Sequence, residues 1–214
     1  IITISSTIAN GGNRATTNLE DDTWYHIFLV SQDVQDAVFG DTAQLAFDTD
    51  INAANALQEY TDLEGVDYTK YRILFSVLTD DSGDIIDYYQ DKDICYWLEE
   101  NEDTSKPSTP TLTAIQSPVD LVCEVTLRST FTAVSDNGAP SVALLAASGL
   151  QPSTSILDKN RIVSNSAGAN RTSTAIFNIS TNESSQIYIE YQNPSFVTGQ
   201  QLACQAFKHP RVTP

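Results

Sequence analysis

The amino-acid sequence predicts an all-β protein, a β-sandwich or jelly-roll-like fold with one or two β-domains. Three observations indicate this class. Apolar runs have the length of strands, several runs alternate apolar and polar residues, and turn residues separate the runs at short intervals. Only residues 42–60 have helical character. Many short strands joined by turns are typical of sandwiches and jelly rolls.

Four runs in the first half of the chain have strand length: ITISSTI (2–8), TWYHIFLVS (23–31), YRILFSVL (71–78) and DIIDYYQ (84–90). The last two flank TDDSG (79–83), a short connection with glycine near its end, which favours a β-hairpin. Asp21, Asp22 and Thr23 are residues of the kind that form a polar turn, and we expect them to begin the second strand.

Five runs follow in the second half: LVCEVTLRSTFTAV (121–134), SVALLAAS (141–148), TAIFNIS (174–180), QIYIEYQ (186–192) and LACQAFK (202–208). The fourth alternates most clearly. Its residues Ile187, Ile189 and Tyr191 fall on one face, whereas Tyr188 and Glu190 fall on the other. This period of two predicts a strand with one face in the core and the other facing solvent.

Charge divides the chain unequally. Residues 1–103 contain 22 acidic and 4 basic residues, whereas residues 104–214 contain 6 and 7. Between them, residues 104–118 are rich in Ser, Thr and Pro, which indicates a loop. We therefore predict an acidic β-domain over 1–103, a linker or crossing loop over 104–118, and a second β-domain or second half of the sandwich over 119–214.

The composition argues against two classes of partner. A net charge of −17, without a basic stripe, disfavours binding to a nucleic-acid backbone. The apolar runs are far shorter than the roughly 20 residues that cross a bilayer, so no membrane partner is expected. The three cysteines, Cys95, Cys123 and Cys204, stand far apart among apolar neighbours and are predicted to be free and buried.

The sequence contains few candidates for catalytic residues. It has only two histidines, His26 and His209, and no motif of a nucleophile elbow, a phosphate-binding loop or a zinc protease. General-base catalysis requires a positioned partner, which the sequence does not show for His26. We predict a structural role for His26, a solvated His209 and no catalytic residue.

One acidic stretch partly matches a calcium-binding loop. Asp48, Asp50, Asn52 and Glu59 occupy positions 1, 3, 5 and 12 of an EF-hand loop. The sixth position, where that loop turns sharply on glycine, is Ala53. We therefore expect no cofactor, and keep calcium bound by these four residues as the alternative.

Two segments resemble a pattern of tailed-bacteriophage virion proteins: ISSTIANGGNRATTNLEDDTWYHIFLVS (4–31) and YTKYRILFSVLTDDSGDIIDYYQDKD (68–93). The family pattern has an NG turn, a TWY strand, a YTxYR segment, a TDxSG turn and a short aromatic strand. The matching residues are Asn10, Gly11, Thr23, Trp24, Tyr25, Tyr68, Thr69, Tyr71, Arg72, Ser76, Val77, Thr79, Asp80, Ser82, Gly83 and Ile85.

The resemblance implies a non-enzymatic structural component of a tailed-phage virion, which decorates the capsid or forms part of a head or tail fibre. Its partners would be other virion proteins and further copies of itself, and we expect a trimer. The protein would assemble in the host cytoplasm and be located in the virion.

Aromatic residues on the predicted strands are candidates for contacts between subunits. Trp24 and Tyr25 are adjacent, so alternation places one ring in the core and the other toward solvent or a neighbouring subunit. We predict an interface that includes Trp24, Tyr25, Tyr71 and Tyr88.

Two other functions fit an acidic β-protein. The main alternative is a carbohydrate-binding or adhesive β-domain, at a fibre tip that binds a host-surface glycan or in a secreted glycoprotein. A hydrolase would need two carboxylates that face each other across a cleft, and the sequence does not pair any of its 28 acidic residues.

Overall fold

The computed structural model describes residues 13–14, 19–32, 44–58, 67–98, 100–133, 141–148, 161–166, 171–192 and 194–210. Fourteen strands in three sheets make up most of this part of the chain, which confirms the all-β prediction. Helical residues in it are limited to 54–58 and the 3-10 turn Pro194–Phe196. No helix in the described ranges is long and apolar enough to span a membrane.

The strands in chain order are β1 (Asn13–Arg14), β2 (Trp24–Gln32), β3 (Gln44–Asp48), β4 (Tyr68–Leu78), β5 (Tyr88–Asp91), β6 (Ile94–Trp97), β7 (Glu102–Asp103), β8 (Thr111–Ala114), β9 (Glu124–Ala133), β10 (Ser141–Ser148), β11 (Arg161–Ser166), β12 (Arg171–Ser180), β13 (Gln186–Gln192) and β14 (Val197–Lys208). The predicted strand over 2–8 lies outside the described residues.

The chain forms two compact units that meet in sequence between Asp87 and Tyr88. The division is earlier than the predicted boundary at residue 103, because β5, β6 and β7 belong to the sheet of the second unit. The predicted linker over 104–118 contains strand β8, which pairs with β13. Acidic residues indicate a solvated surface rather than a boundary between units. The acidic stretch therefore continues past Asp87 into the second unit.

The described part of the first unit is a sheet of strand order β1-β3-β2-β4. Pairing is antiparallel except between β1 and β3. Six buried residues form a cluster on this sheet, with Leu57 and Ile73 packed against it: Phe28, Val30, Ala46, Ala53, Ala56 and Tyr68. Residues 42–60, predicted to be helical, contribute both strand β3 and the short helix at 54–58.

A hydrogen-bonded corner joins the ends of β2 and β4. The hydroxyl of buried Thr79 accepts the N–H of Thr23 and donates to the carbonyl oxygen of Glu20 at 2.6 Å. The carbonyl of Asp80 accepts the N–H of Asp22 at 2.9 Å. Several residues of the phage-like pattern therefore have an architectural role here.

The predicted hairpin at 79–83 is only partly formed. Its turn closes with a single bridge between Thr79 and Ile85, and the N–H of Ile86 donates to Leu78. The chain then leaves for strand β5 in a different sheet. Gly83 has a φ of +75°, and a Cβ at this position would lie 2.5 Å from the carbonyl oxygen of Leu19. Only glycine fits this turn without displacing its neighbour.

The second unit contains two sheets whose apolar faces meet, as in a sandwich. One has the order β11-β10-β13-β8, and the other has the order β12-β9-β14-β6-β5, with β7 also paired to β14. The ring of Phe131 on β9 packs edge-on against Tyr191 on β13, at 6.2 Å between centroids. This contact joins the two sheets through their core.

The predicted core face of β13 is confirmed, because Ile187, Ile189 and Tyr191 are all buried. Glu190, predicted on the solvent face, is buried as well. All three cysteines are free and buried, as predicted.

Candidate functional site

The residues of the calcium-like stretch form a capped turn. The Oδ1 atom of Asp48 accepts the N–H of Asp50 at 2.9 Å and the side-chain amide of Asn55 at 2.8 Å, and Oδ2 accepts the N–H of Ala56 at 2.8 Å. Asp48 is buried, so these donors compensate its carboxylate. The carboxylate thereby caps the helix at 54–58.

The other residues of this stretch follow the same pattern. Asp50 Oδ1 accepts the backbone and side-chain N–H groups of Asn52, whereas Glu59 lies outside the described residues. Ala53 has a φ of +56°, so the chain does turn sharply at the position where an EF-hand has glycine. Within the described ranges, no group of three His, Cys, Asp or Glu side chains is arranged to hold a metal ion. The calcium hypothesis stays a prediction.

The four predicted interface residues differ in exposure. Tyr25 is buried, and its hydroxyl accepts the N–H of Glu20 at 2.8 Å, so this ring belongs to the core. Trp24 is half-buried, as is Tyr88, whose ring packs against Trp97. Tyr71 on β4 is 45% exposed. The prediction for Tyr25 is corrected, because its hydroxyl has a backbone partner inside the unit; Trp24, Tyr71 and Tyr88 stay candidates.

A serine, a histidine and an aspartate lie in one row across the first sheet. The strand register places His26 opposite Ser76 on one side and opposite Asp48 on the other. The imidazole Nδ1 is hydrogen-bonded to the Ser76 hydroxyl at 2.8 Å. All three residues are buried.

This row contains the residue types of a catalytic triad without its geometry. A triad serine is open to substrate and bonds to Nε2, whereas Ser76 is 1% exposed and bonds to Nδ1. Asp48 accepts three N–H groups from its own turn. These contacts support a structural role for His26. The second histidine, His209, is buried too, which corrects the expectation that it is solvated.

A cleft of about 490 Å³ opens in the second unit between β7 and β8. Its lining residues come from the two strands, their connection and β14: Asn101, Glu102, Asp103, Ser105, Thr111, Leu112, Thr113, Ala114, Ile115, Gln116, Leu202 and Cys204. The volume is within the range of small-molecule sites. We call it the β7–β8 cleft.

The walls of the β7–β8 cleft belong to different sheets, because β7 pairs with β14 and β8 pairs with β13. One end is bridged by the connection 104–110 between the two strands. At the other end, the side-chain oxygen of Gln116 accepts the N–H of Asn101 at 3.1 Å. Chain segments therefore cross the cleft at both ends.

The cleft combines an apolar floor with polar walls. Leu202 and Cys204 supply the floor, and burial raises the pKa of the Cys204 thiol to about 12, so the floor is uncharged. Asp103 supplies a carboxylate whose two oxygens accept the N–H and the hydroxyl of Ser105, each at 2.8 Å. No lysine or arginine is among the described residues that line the cleft.

The carboxylate of Glu102 is held on the other face of its sheet. It accepts a bond from Gln201 at 2.8 Å and lies 3.4 Å from Nη2 of Arg128. Arg128 also pairs with Glu100 at 2.5 Å. Burial opposes ionisation of Glu100, but hydrogen bonds from Arg128 and Gln205 and the Arg128 charge prevail and lower its pKa. Asp103 is thus the carboxylate that remains for the cleft.

Two exposed tyrosines on the β5–β6 hairpin are a second surface feature. Tyr89 and Tyr96 are cross-strand partners with ring centroids 6.1 Å apart. Neither is among the residues predicted from the sequence, although alternation with buried Cys95 and Trp97 places Tyr96 on the opposite face. The cleft was missed because one of its walls, β8, lies in the predicted linker.

No protein-family model matches the chain, and no curated protein matches it significantly. The fold and its cleft define the chain as an all-β protein with a sandwich-like unit.

Proposed function

We propose that the chain is a non-enzymatic structural component of a tailed-phage virion, located on the capsid or in a head or tail fibre. The observation that carries the proposal is the match in residue order described above. The corner around Thr79 supports it, because the residues that match there lock strand ends together. Matching residues that hold strand ends together are more typical of a structural protein than of a catalytic site.

The edge of the first sheet supports self-association. Strand β4 is eleven residues long, ends the described sheet and carries exposed Tyr71. Long edge strands readily pair with another chain.

The proposed oligomer is a trimer, and light scattering after size-exclusion chromatography measures its mass. Y71E should weaken it, whereas Y89E, in the other unit, should not. A monomeric wild-type chain at micromolar concentration contradicts the trimer.

The virion assignment is tested on particles. Particles from the strain that encodes the chain are purified by density gradient, and its peptides are quantified against the main shell protein. Decoration predicts a copy number comparable to that of the shell protein, and a fibre predicts a few copies. An abundant host protein serves as the control for contamination. The assignment fails if the chain stays with the control.

The β7–β8 cleft favours a second candidate function, a carbohydrate-binding or adhesive β-domain. A half-apolar cleft with convergent hydroxyl, amide and carboxylate groups is the kind of site that binds a neutral polar ligand. Such a domain fits a fibre tip as well as an independent adhesin. Binding to glycans, rather than presence in particles, tests it.

A further inference from the structure

The chemistry of the β7–β8 cleft restricts what it can bind. The hydroxyl of Thr113 can donate and accept, and Asn101 brings an amide. The hydroxyls of Thr111 and Ser105 already donate to the Thr109 carbonyl and to Asp103, so they can only accept from a ligand. Because the described lining residues include no lysine or arginine, an anionic ligand would meet the Asp103 carboxylate uncompensated. The complementary ligand is neutral and carries several hydrogen-bonding groups.

The free edge of β8 adds backbone groups to the cleft. The N–H of Ile115 donates to Ser185 on the β13 side, so alternation directs the backbone groups of Leu112 and Ala114 away from β13. Across the described ranges, neither residue has a backbone partner outside its own sheet. These groups can bind a ligand hydroxyl as well as a strand.

The shape of the cleft decides between a compact ligand and an extended peptide. A peptide that adds to a sheet edge lies extended along that edge. Here the connection 104–110 bridges one end, and the bond between Asn101 and Gln116 bridges the other. The chain segments that cross both ends and the volume of about 490 Å³ favour a compact ligand.

We propose that the β7–β8 cleft binds a short neutral glycan, with Asp103, Thr113 and Asn101 as polar contacts and Leu202 beneath the sugar ring. Each oxygen of the Asp103 carboxylate bonds to Ser105 and retains a lone pair for a sugar hydroxyl. The proposal rests on the second candidate function above and is independent of the virion assignment.

Trp97 provides a reporter inside the protein. Its indole N–H donates to the carbonyl of Gln116, which lines the cleft, at 2.9 Å. The chain has two tryptophans, so W24F leaves Trp97 as the single emitter. The full chain carrying W24F is titrated with lactose, cellobiose and N,N′-diacetylchitobiose, with sialic acid as an anionic probe and an uncharged, blocked tetrapeptide as an extended probe.

The expected result is a saturable change in Trp97 emission with at least one neutral disaccharide, and none with sialic acid or the tetrapeptide. D103N and T113V should each weaken the affinity about tenfold, since D103N replaces a charged acceptor of the protein with an amide and T113V removes a hydroxyl. T113S keeps the hydroxyl and should restore binding. T130V, on the opposite face of the other sheet, is the matched control and should bind as W24F alone does.

Loss of binding counts only for variants that keep the thermal midpoint of the parent. Three outcomes overturn the proposal: no saturable response to any neutral sugar, tighter binding of sialic acid or of the tetrapeptide, and equal affinity in D103N, T113V and T130V. None of them affects the measurement on particles, so failure of the glycan site and failure of the virion assignment are distinguishable.

Discussion

The hydroxyl oxygen of Thr79 accepts the backbone N–H of Thr23 at 2.9 Å, across the ends of two neighbouring strands. The same hydroxyl donates its proton to the carbonyl of Glu20. Thr79 itself is fully buried, so its hydroxyl depends on these partners rather than on solvent. One side chain therefore fixes how the chain enters β2 and how it leaves β4.

Replacing Thr79 with valine should destabilise the first unit by about 1 to 3 kcal/mol, because the N–H of Thr23 and the carbonyl of Glu20 lose their partner in a part-buried corner. T79S keeps the hydroxyl and should lose less. Urea unfolding monitored by circular dichroism measures the difference. T172V, which removes an exposed hydroxyl, is the control. A T79V variant as stable as T172V would contradict the role of this corner.

The two described glycines with positive φ provide a matched pair. G199A should cost about 1 kcal/mol, since φ is +56° but the nearest atom to a new Cβ is 3.8 Å away. G83A should cost about 3 kcal/mol or more, because its Cβ would also collide with the carbonyl of Leu19. Denaturant midpoints of the two variants measure the difference. Equal costs would show that the turn at Gly83 relaxes freely.

The cysteines should be inert in the folded protein. Burial raises the pKa of Cys95, of Cys123 and of Cys204 to about 12, so almost no thiolate exists at pH 8. Iodoacetamide at pH 8 should modify none of the three within the time that fully labels the urea-unfolded chain, as counted by intact mass. Rapid modification of Cys204 alone would mean that the β7–β8 cleft admits reagents to its floor.

The row of Ser76, His26 and Asp48 should contribute stability without catalysis. S76A removes a buried hydrogen-bonding partner of His26 and should cost about 1 to 3 kcal/mol in urea unfolding. A fluorophosphonate probe, which labels activated serines, should leave Ser76 unmodified. Labelling that disappears in S76A while the fold is retained would establish a nucleophile and contradict the non-enzymatic assignment.

The contact between Arg128 and Glu100 should depend on pH. The pKa of Glu100 is lowered in the folded state, so its contribution to stability exists above the unfolded pKa of about 4.3 and is lost as pH falls through the folded value. E100Q should be less stable than the wild type at pH 7 by up to about 1 kcal/mol, because the pair is partly exposed.

At pH 3 the difference between E100Q and the wild type should have become much smaller. Unfolding free energies at both pH values test this, with E124Q on the same face as a control for net charge. A difference that persists unchanged at pH 3 would show that the stabilisation does not come from the ionised carboxylate.

Alternation predicted the parts of the fold where one face is apolar. The pattern of Ile187, Ile189 and Tyr191 was sufficient to place β13 and its buried face. The same alternation wrongly placed Glu190 in solvent. Whether the second face of a strand is covered depends on elements that are distant in sequence. The exposure of that face is therefore set by its neighbours in space and not by the alternation of residues along the strand.

The candidate site was harder to predict than the strands. The four residues of β8 stand among serine, threonine and proline, a composition typical of a loop. They form a strand because they pair with β13. For Asp48, the sequence suggested a ligand role where the structure shows a capping role. A spacing typical of calcium ligands arises from a carboxylate that caps its own turn, and only the hydrogen bonds distinguish the two.

Strand β14 lies at the centre of its sheet, between β9 on one side and β6 and β7 on the other, yet it is the last strand described. During synthesis, all of its partners leave the ribosome before it does. The nascent second unit must therefore wait with open strand edges until residues 197–208 emerge, whereas strands β1 to β4 of the first unit have already been made. Chaperones that shield such edges would act on this unit before residues 197–208 emerge.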